Sequence, residues 1–162
     1  MTNAERLVSI LIEKEYHISC AESCTGGKLA GAIVDVADAS KVLDASIVTY
    51  SNEAKVRYLG VKKETLAKYG AVSEETAWEM AVGIAKANVA QVGVGVTGLA
   101  GPGGGTKDKP VGMVCFGFYI SGEITTITKQ FGDIGRNQVR EKCVDFVLET
   151  LIEMLGDKDS DK

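Results

Sequence analysis

The stretch from Val92 to Gly112, VGVGVTGLAGPGGGTKDKPVG, constrains this chain more than any other. It opens as a strand of small and β-branched residues and then dissolves into a loop carrying Gly98, Gly101, Gly103, Gly104 and Gly105. The chain recovers through Lys109, Pro110, Val111 and Gly112 into the strand-like run MVCFGFYI. Glycine loses more conformational freedom on folding than any other residue, so a cluster between two strong strands needs a reason. Backbone N–H groups lying close to an anionic ligand supply one, with Thr97, Thr106 and Lys109 adding side-chain donors. A flexible surface hairpin explains the glycines but not the threonines and lysine set among them.

A chain of 162 residues holds one domain with a real core and is too short for two ordinary ones. A single domain over residues 1–156 is expected, with the charged DKDSDK at 157–162 as a frayed tail. The formal net charge of −4 argues against a nucleic-acid binder, because neutralising phosphates needs a basic face. A single anionic small molecule needs only a local group of donors. No apolar run approaches the length of about 20 residues that spans a bilayer, so no membrane partner is expected. The opening MTNAERLVSILIEKEY is amphipathic and carries no signal-peptide cleavage site. Cys20, Cys24, Cys115 and Cys143 lie in apolar segments without CxxC spacing and read as reduced buried thiols, which makes a cytoplasmic location the expectation.

The single histidine, His17, precedes the first predicted strand, whereas ligand sites in open α/β sheets gather at the carboxyl ends of strands. It reads as structural or solvated. Without a second histidine there is no HExxH zinc site, a Ser–His–Asp triad is disfavoured, and no metal or other cofactor is expected. Hydrolysis in such a chain must draw on another base.

Periodicity predicts a helix over 3–15 with Asn3 as N-cap, a strand over 17–23, a helix over 28–36, and a strand over 45–50. Short helices follow at 54–59 and 62–69, the second closed by Gly70. Ser73 with Glu74 and Glu75 starts a longer helix that runs to Asn88. Beyond the glycine loop, strands over 111–120 and 124–131 form an antiparallel hairpin through Ser121, Gly122 and Glu123. A last helix covers 137–155. Helices alternate with strands except at that hairpin, which points to an α/β fold, a three-layer α/β/α sandwich with a mixed, mostly parallel sheet.

Four clusters carry polar residues that a core does not require. In Ala21-Glu22-Ser23-Cys24-Thr25-Gly26-Gly27 a strand end opens into a helix N-terminus, whose N–H groups suit an anion or a carboxamide; an ordinary N-cap by Ser23 or Thr25 is the plainer alternative. Ser40 precedes Tyr50-Ser51-Asn52-Glu53-Ala54-Lys55, where a lysine partly buried beside other donors loses proton affinity and becomes a base able to activate a serine; a solvated helix lysine and a turn serine are the plainer alternative. The third is the glycine loop with Thr97. In the fourth, Gly132-Asp133-Ile134-Gly135-Arg136 is followed one turn on by Arg140; an arginine at a helix N-terminus opposes the dipole and calls for a ligand or carboxylate partner.

Two tempting motifs fail. Gly93-Val94-Gly95-Val96-Thr97-Gly98 fits GxGxxG but lies inside the strand, with no acidic residue at the roughly 20-residue distance that binds a ribose. Gly27-Lys28 lacks the first glycine of a phosphate-binding P-loop, because Glu22 stands there.

The words AESCTGG (21–27), VTYSNEAK (48–55), GAVSEETAWEMA (70–81), VTGLAGPGGGT (96–106) and KPVG (109–112) resemble the CinA C-terminal-domain family, whose stand-alone members are nicotinamide mononucleotide amidohydrolases. The resemblance implies a three-layer sandwich and hydrolysis of the nicotinamide carboxamide to nicotinate mononucleotide and ammonia, a step of pyridine nucleotide salvage. It puts the serine–lysine centre on Ser40 and Lys55, with Tyr50 assisting, and keeps Ser23 as the rival nucleophile. Ser23, Thr25, Gly26, Thr97, Gly103, Gly104, Gly105, Thr106, Lys109, Arg136 and Arg140 are then the substrate-binding candidates. The run before Arg136 is longer than the family's compact GDR, which leaves open whether Arg136 or Arg140 meets the ligand. The family also implies a homodimer or higher homo-oligomer, a small-molecule nucleotide as partner, and, as alternatives to catalysis, a nucleotide-sensing module or a competence- or damage-related interaction domain.

Overall fold

A computed structural model describes residues 1–156; the tail 157–162, read above as frayed, lies outside the described residues. Helix α1 (Asn3–Lys14) is capped one residue earlier than expected. Thr2 is the N-cap: its Oγ1 accepts from the Glu5 N–H at 3.1 Å, and the Glu5 carboxylate accepts from the Thr2 N–H at 2.7 Å. Strand β1 (Ile18–Glu22) leads to α2 (Lys28–Val34), a 3₁₀ turn (Ala39–Lys41) and β2 (Leu43–Val48). Then come α3 (Asn52–Leu59), α4 (Lys63–Tyr69), α5 (Glu74–Asn88) and β3 (Val92–Gly98). The hairpin β4 (Met113–Ile120) and β5 (Glu123–Gln130) precedes α6 (Arg136–Leu155). No helix among the described residues is long and apolar enough to cross a membrane.

The sheet order is β2-β1-β3-β4-β5. Strand β1 pairs in parallel with β2 and β3, while β4 is antiparallel to both β3 and β5, so β4 alone runs against the other four. The mixed sandwich expected from the pattern is present, with two parallel and two antiparallel strand pairings. Helices α1, α2 and α6 pack together on one face, and α3, α4 and α5 on the other. His17 sits at the amino end of β1 and pairs with Asp44 at 2.8 Å, far from the carboxyl ends of the strands. All four cysteines are free and buried.

The alternation Gly-Val-Gly-Val in β3 has a packing cause. Val92, Val94 and Val96 are fully buried in the cluster shared with α1, α2 and α6. Gly93 and Gly95 face α5 instead, together with Gly117 of β4, which is the register partner of Gly95. A Cβ on Gly95 would stand 2.5 Å from the Ala77 carbonyl oxygen, and one on Gly117 only 2.3 Å from the same atom. A Cβ on Gly93 would stand 2.5 Å from the Ala81 oxygen. The alanine stripe Ala77, Ala81 and Ala85 therefore lies directly on sheet backbone, and the glycine pattern that imitates a nucleotide fingerprint is a floor for a helix. On the outer side, a Cβ at Gly83 would meet the Leu59 carbonyl at 2.0 Å, so α5 is gripped between sheet and α3. Its first turn is tied to edge strand β5, where Thr126 and Thr128 donate to the Glu74 carboxylate at 2.7 and 2.6 Å.

These contacts are to backbone, which no rotamer change relieves. Gly95→Ala is expected to lower the unfolding free energy by about 1–3 kcal/mol or more. At Gly103 nothing lies within 4 Å of an added Cβ, so Gly103→Ala should stay within about 0.5 kcal/mol of the parent. Urea midpoints of the two variants, compared at equal m-value, check the contrast.

Candidate active site

Strands β1, β2 and β3 run in parallel and end at one edge, where open α/β sheets bind ligands. The crevice there has a volume of about 300 Å³ and is lined by Ser23, Cys24, Tyr50, Lys55, Thr97 and Arg136, among others. This is at the lower end of the size range of small-molecule sites. A larger groove of about 640 Å³ runs along Tyr69, Trp78 and Lys86 on the outside of α4 and α5, but it holds no buried titratable pair. Size alone does not mark the chemistry here.

Lys55 does. Ser51 caps α3 by accepting from the Ala54 N–H at 3.1 Å, which turns Lys55 inward one turn later. The lysine is only 1% exposed. Its Nζ donates to Ser23 Oγ at 3.0 Å and to the Thr49 and Tyr50 carbonyl oxygens at 2.8 and 3.4 Å. Burial pulls the Lys55 ammonium below the ordinary lysine range, while the nearby Cys24 thiol works in the opposite direction. In the neutral amine the same contact to Ser23 runs in reverse, with the hydroxyl donating to Nζ.

Ser23 is set in place by its neighbour. Glu22 is fully buried, and its carboxylate accepts from the backbone N–H groups of Gly27 at 3.2 Å, Leu29 at 2.9 Å and Ala30 at 3.2 Å, and from the Ser46 hydroxyl at 2.8 Å. These N–H groups are the unpaired donors at the start of α2. The helix N-terminus read above as an anion site is thus filled from inside by the chain's own carboxylate. Arg140 holds the same turn from the other side: its Nε donates to the Cys24 carbonyl at 2.8 Å and its Nη2 to the Thr25 carbonyl at 3.0 Å.

The two arginines therefore differ. Arg140 is a brace for residues 24–25. Arg136 lines the crevice, with Nη1 donating to the Gly101 carbonyl at 2.7 Å and Nη2 to the Tyr50 hydroxyl at 2.8 Å. No carboxylate pairs with Arg136 among the described residues.

The expected grouping of Ser40 with Tyr50 and Lys55 requires correction. Ser40 is exposed in the 3₁₀ turn before β2, at the amino end of the sheet, whereas Lys55 follows the carboxyl end of that strand. Six strand residues at about 3.3 Å each put the two roughly 20 Å apart. The serine beside Lys55 is Ser23. Tyr50 contacts Lys55 through its carbonyl, while the residue is 62% exposed and its hydroxyl engages Arg136.

The glycine loop also divides. Gly103 lines the crevice, and Thr97 lines it while donating its hydroxyl to the Ala71 carbonyl at 2.8 Å. Gly105 and Thr106 line a neighbouring hollow with Pro110 and Phe131, and neither Gly104 nor Gly26 reaches the crevice wall. Thr106 and Lys109 close the loop on itself: Thr106 Oγ1 accepts from the Lys109 N–H at 3.1 Å, and the Thr106 N–H donates to the Lys109 carbonyl at 2.8 Å. The Lys109 ammonium is spent on the Tyr69 carbonyl. Thr25 is fully buried and faces no ligand space. Glu22 and Cys24 are the site residues that sequence reasoning did not single out; a carboxylate closing a strand just before a Gly-Gly helix start is the signal that marks the first. Among the described residues no group of three or more His, Cys, Asp or Glu side chains gathers to hold a metal ion.

Glu22→Gln replaces an acceptor-only group with one that presents N–H donors to N–H donors. It is expected to lower stability by about 1–3 kcal/mol. Amide hydrogen exchange at Gly27, Leu29 and Ala30 should quicken selectively, and unchanged protection there would remove Glu22 from this role.

Comparison with known proteins gives the family and the fold. A CinA-like protein of Kosmotoga olearia is 52% identical over 145 residues, which make up 90% of this chain and 35% of that protein. A Clostridium acetobutylicum protein named for competence-damage induction is 53% identical over 144 residues, 88% of this chain and 34% of its own length. The chain thus spans about a third of the length of these curated relatives. Among solved structures, the competence/damage inducible protein of Agrobacterium tumefaciens matches with a TM-score of 0.89 and 42% identity, covering 96% of this chain and 98% of that one. A competence or damage-inducible protein from Enterobacter asburiae matches with a TM-score of 0.92 and 39% identity, over 95% of this chain and 96% of that one. The profile described as the CinA C-terminal domain covers residues 1–155, and the chain belongs to that family.

Proposed function

We propose that the crevice hydrolyses the carboxamide of nicotinamide mononucleotide, giving nicotinate mononucleotide and ammonia. The observation that carries this reading is the buried Lys55 amine 3.0 Å from the Ser23 hydroxyl, a nucleophile and base in contact in a site without histidine. Ser23 Oγ attacks the carboxamide carbon as the neutral Lys55 amine takes its proton. The resulting ammonium returns a proton to the departing nitrogen, and ammonia leaves an ester on Ser23. Water then attacks that ester, Lys55 again takes the proton, and the acid is released as Ser23 recovers its hydrogen.

Arg136 fits the far end of such a substrate. Among the described residues its guanidinium is held by a carbonyl and a phenol, so its charge is free to pair with a phosphate in two-point fashion. Tyr50, hydrogen-bonded to Arg136 rather than to Ser23, supports phosphate placement in this scheme and takes no part in the proton transfer.

Purified protein should release ammonia from the mononucleotide with a chelator present. Ser23→Ala and Lys55→Ala should each reduce the rate by at least about 100-fold, whereas Ser40→Ala should leave it unchanged. Saturable binding of the mononucleotide without any turnover would instead favour a nucleotide-sensing module.

The rate should rise with pH as Lys55 loses its proton, with a midpoint below the ordinary lysine value of about 10.4. The sign for stability follows from the same shift. Between the depressed folded value and the ordinary unfolded one, the unfolded chain binds more protons at Lys55, so this residue's contribution to stability grows as pH rises through that window. Lys55→Met should abolish this increment in a pH series of urea midpoints.

A further inference from the structure

We propose that the backbone N–H of Gly98 is a catalytic group, which hydrogen-bonds the carboxamide oxygen of the substrate while Ser23 attacks. The inference rests on the amidohydrolase reading and adds to it the donor that the developing negative charge calls for.

This donor is left over by the ladder between β1 and β3. The strands pair in parallel from Ile18 opposite Val92 to Glu22 opposite Val96. At the start of the run the Val92 N–H donates to the His17 carbonyl at 3.0 Å, and at its end the Ser23 N–H donates to the Val96 carbonyl at 3.0 Å. Continued at the same spacing, the ladder would give the Gly98 N–H the Ser23 carbonyl as its acceptor. The Ser23 carbonyl has instead turned to accept from the Gly26 N–H at 3.1 Å. Glu22 fixes that turn by binding the N–H groups of Gly27 and Leu29, and Arg140 by holding the Cys24 and Thr25 carbonyls. Among the described residues nothing else accepts from the Gly98 N–H.

Its direction is set from the far side of β3. The Leu99 N–H donates to the Met113 carbonyl at 2.9 Å, and the Leu99 carbonyl accepts from the Gly112 N–H at 2.7 Å. Both backbone groups of Leu99 thus face β4, and alternation along the strand turns those of Gly98 toward β1 and Ser23. Gly98 lines the crevice. A Cβ there would stand 2.6 Å from Val114 Cγ2, which restricts the position to glycine. The place of the next strand carbonyl is therefore open, beside the serine whose hydroxyl meets Lys55 Nζ at 3.0 Å. A carboxamide oxygen fits it as a strand carbonyl would.

In the attack the Ser23 oxygen bonds to the carboxamide carbon, the hydroxyl proton passes to the Lys55 amine, and the π pair of the C=O bond moves onto oxygen. The Gly98 N–H holds that anion. When the pair returns, the C–N bond breaks and nitrogen leaves as ammonia with the proton from Lys55. A donor fixed before the reaction needs no reorganisation as charge appears, and loss of one such donor lowers kcat about 100- to 1,000-fold.

The test replaces the amide between Thr97 and Gly98 by an ester, with glycolate at position 98 of the otherwise intact chain. This deletes the N–H and keeps every side chain. Ammonia release from the mononucleotide should show kcat lowered about 100- to 1,000-fold at a nearly unchanged KM. The same exchange at Gly93, which pairs with Tyr119 of β4, removes a ladder donor away from the crevice. It should leave kcat unchanged and lower the urea midpoint further than the exchange at Gly98, whose N–H has no protein partner to lose. Should the ester chain fail to fold, Gly98→Pro and Gly98→Ala are compared in a Val114→Ala background that makes room for both. Proline lacks the N–H and alanine keeps it, so the proline protein should be slower by the same factor. Full kcat without the N–H overturns the proposal, as does a urea midpoint that falls as far at Gly98 as at Gly93. A parent protein that releases no ammonia overturns the amidohydrolase reading and this inference with it, whereas an active parent with an unimpaired ester variant overturns the inference alone.

Discussion

The buried carboxylate of Glu22 is the interaction on which the site depends. An isolated carboxylate in an apolar interior is strongly disfavoured, and this one is tolerated because three backbone N–H groups and one hydroxyl converge on it. Strand alternation then sorts its neighbours. Cys20 belongs to the core beneath α1, α2 and α6, whereas Ala21 belongs to the core beneath α3 and α5. Glu22 points with Cys20 toward α2, and Ser23 meets α3, the helix that carries Lys55. One salt-free capping arrangement thus fixes both where α2 starts and which side the serine faces.

The second constraint is the glycine floor under α5. Because α5 rests on the backbone of β3 and β4, its amino-terminal approach, with Ala71 and Val72, is drawn down to the crevice wall. Thr97 secures that approach through the Ala71 carbonyl. Packing on one face and ligand space at the strand ends are therefore set by the same run of sequence, β3 and its loop. The valines serve one core, the glycines serve the other, and only the end of the strand is left for binding.

Much of this was legible in the chain itself. The layer architecture, the hairpin and the helix from Ser73 follow from period and caps, and their limits shift by only a residue or two. Lys55 was legible through the word VTYSNEAK, which sets it at a strand-to-helix corner and carries it in the family resemblance. Ser40 was misplaced because its ten-residue distance from Tyr50 says nothing of the strand lying between them, which carries the two to opposite ends of the sheet. Gly93 and Gly95 were correctly denied a nucleotide role, but their cause lies in α5, a partner that spacing along β3 does not reveal. Thr106 and Lys109 looked like ligand donors because loop closure uses the same residue types as anion binding. Glu22 was named but given no role, because three of its partners are backbone N–H groups and only its place before Gly26 and Gly27 points to them.

The crevice takes Ser23 from just beyond the first strand, Lys55 from the third helix, Thr97 from the third strand and Arg136 from the last helix. No contiguous fragment shorter than residues 23–136 contains all four. Contacts of such wide sequence separation form only when the whole sheet has closed, since the loops between them must be ordered first. Ligand capacity is therefore a measure of complete assembly: a nicked or half-folded chain that still shows native helix content would have no crevice to offer.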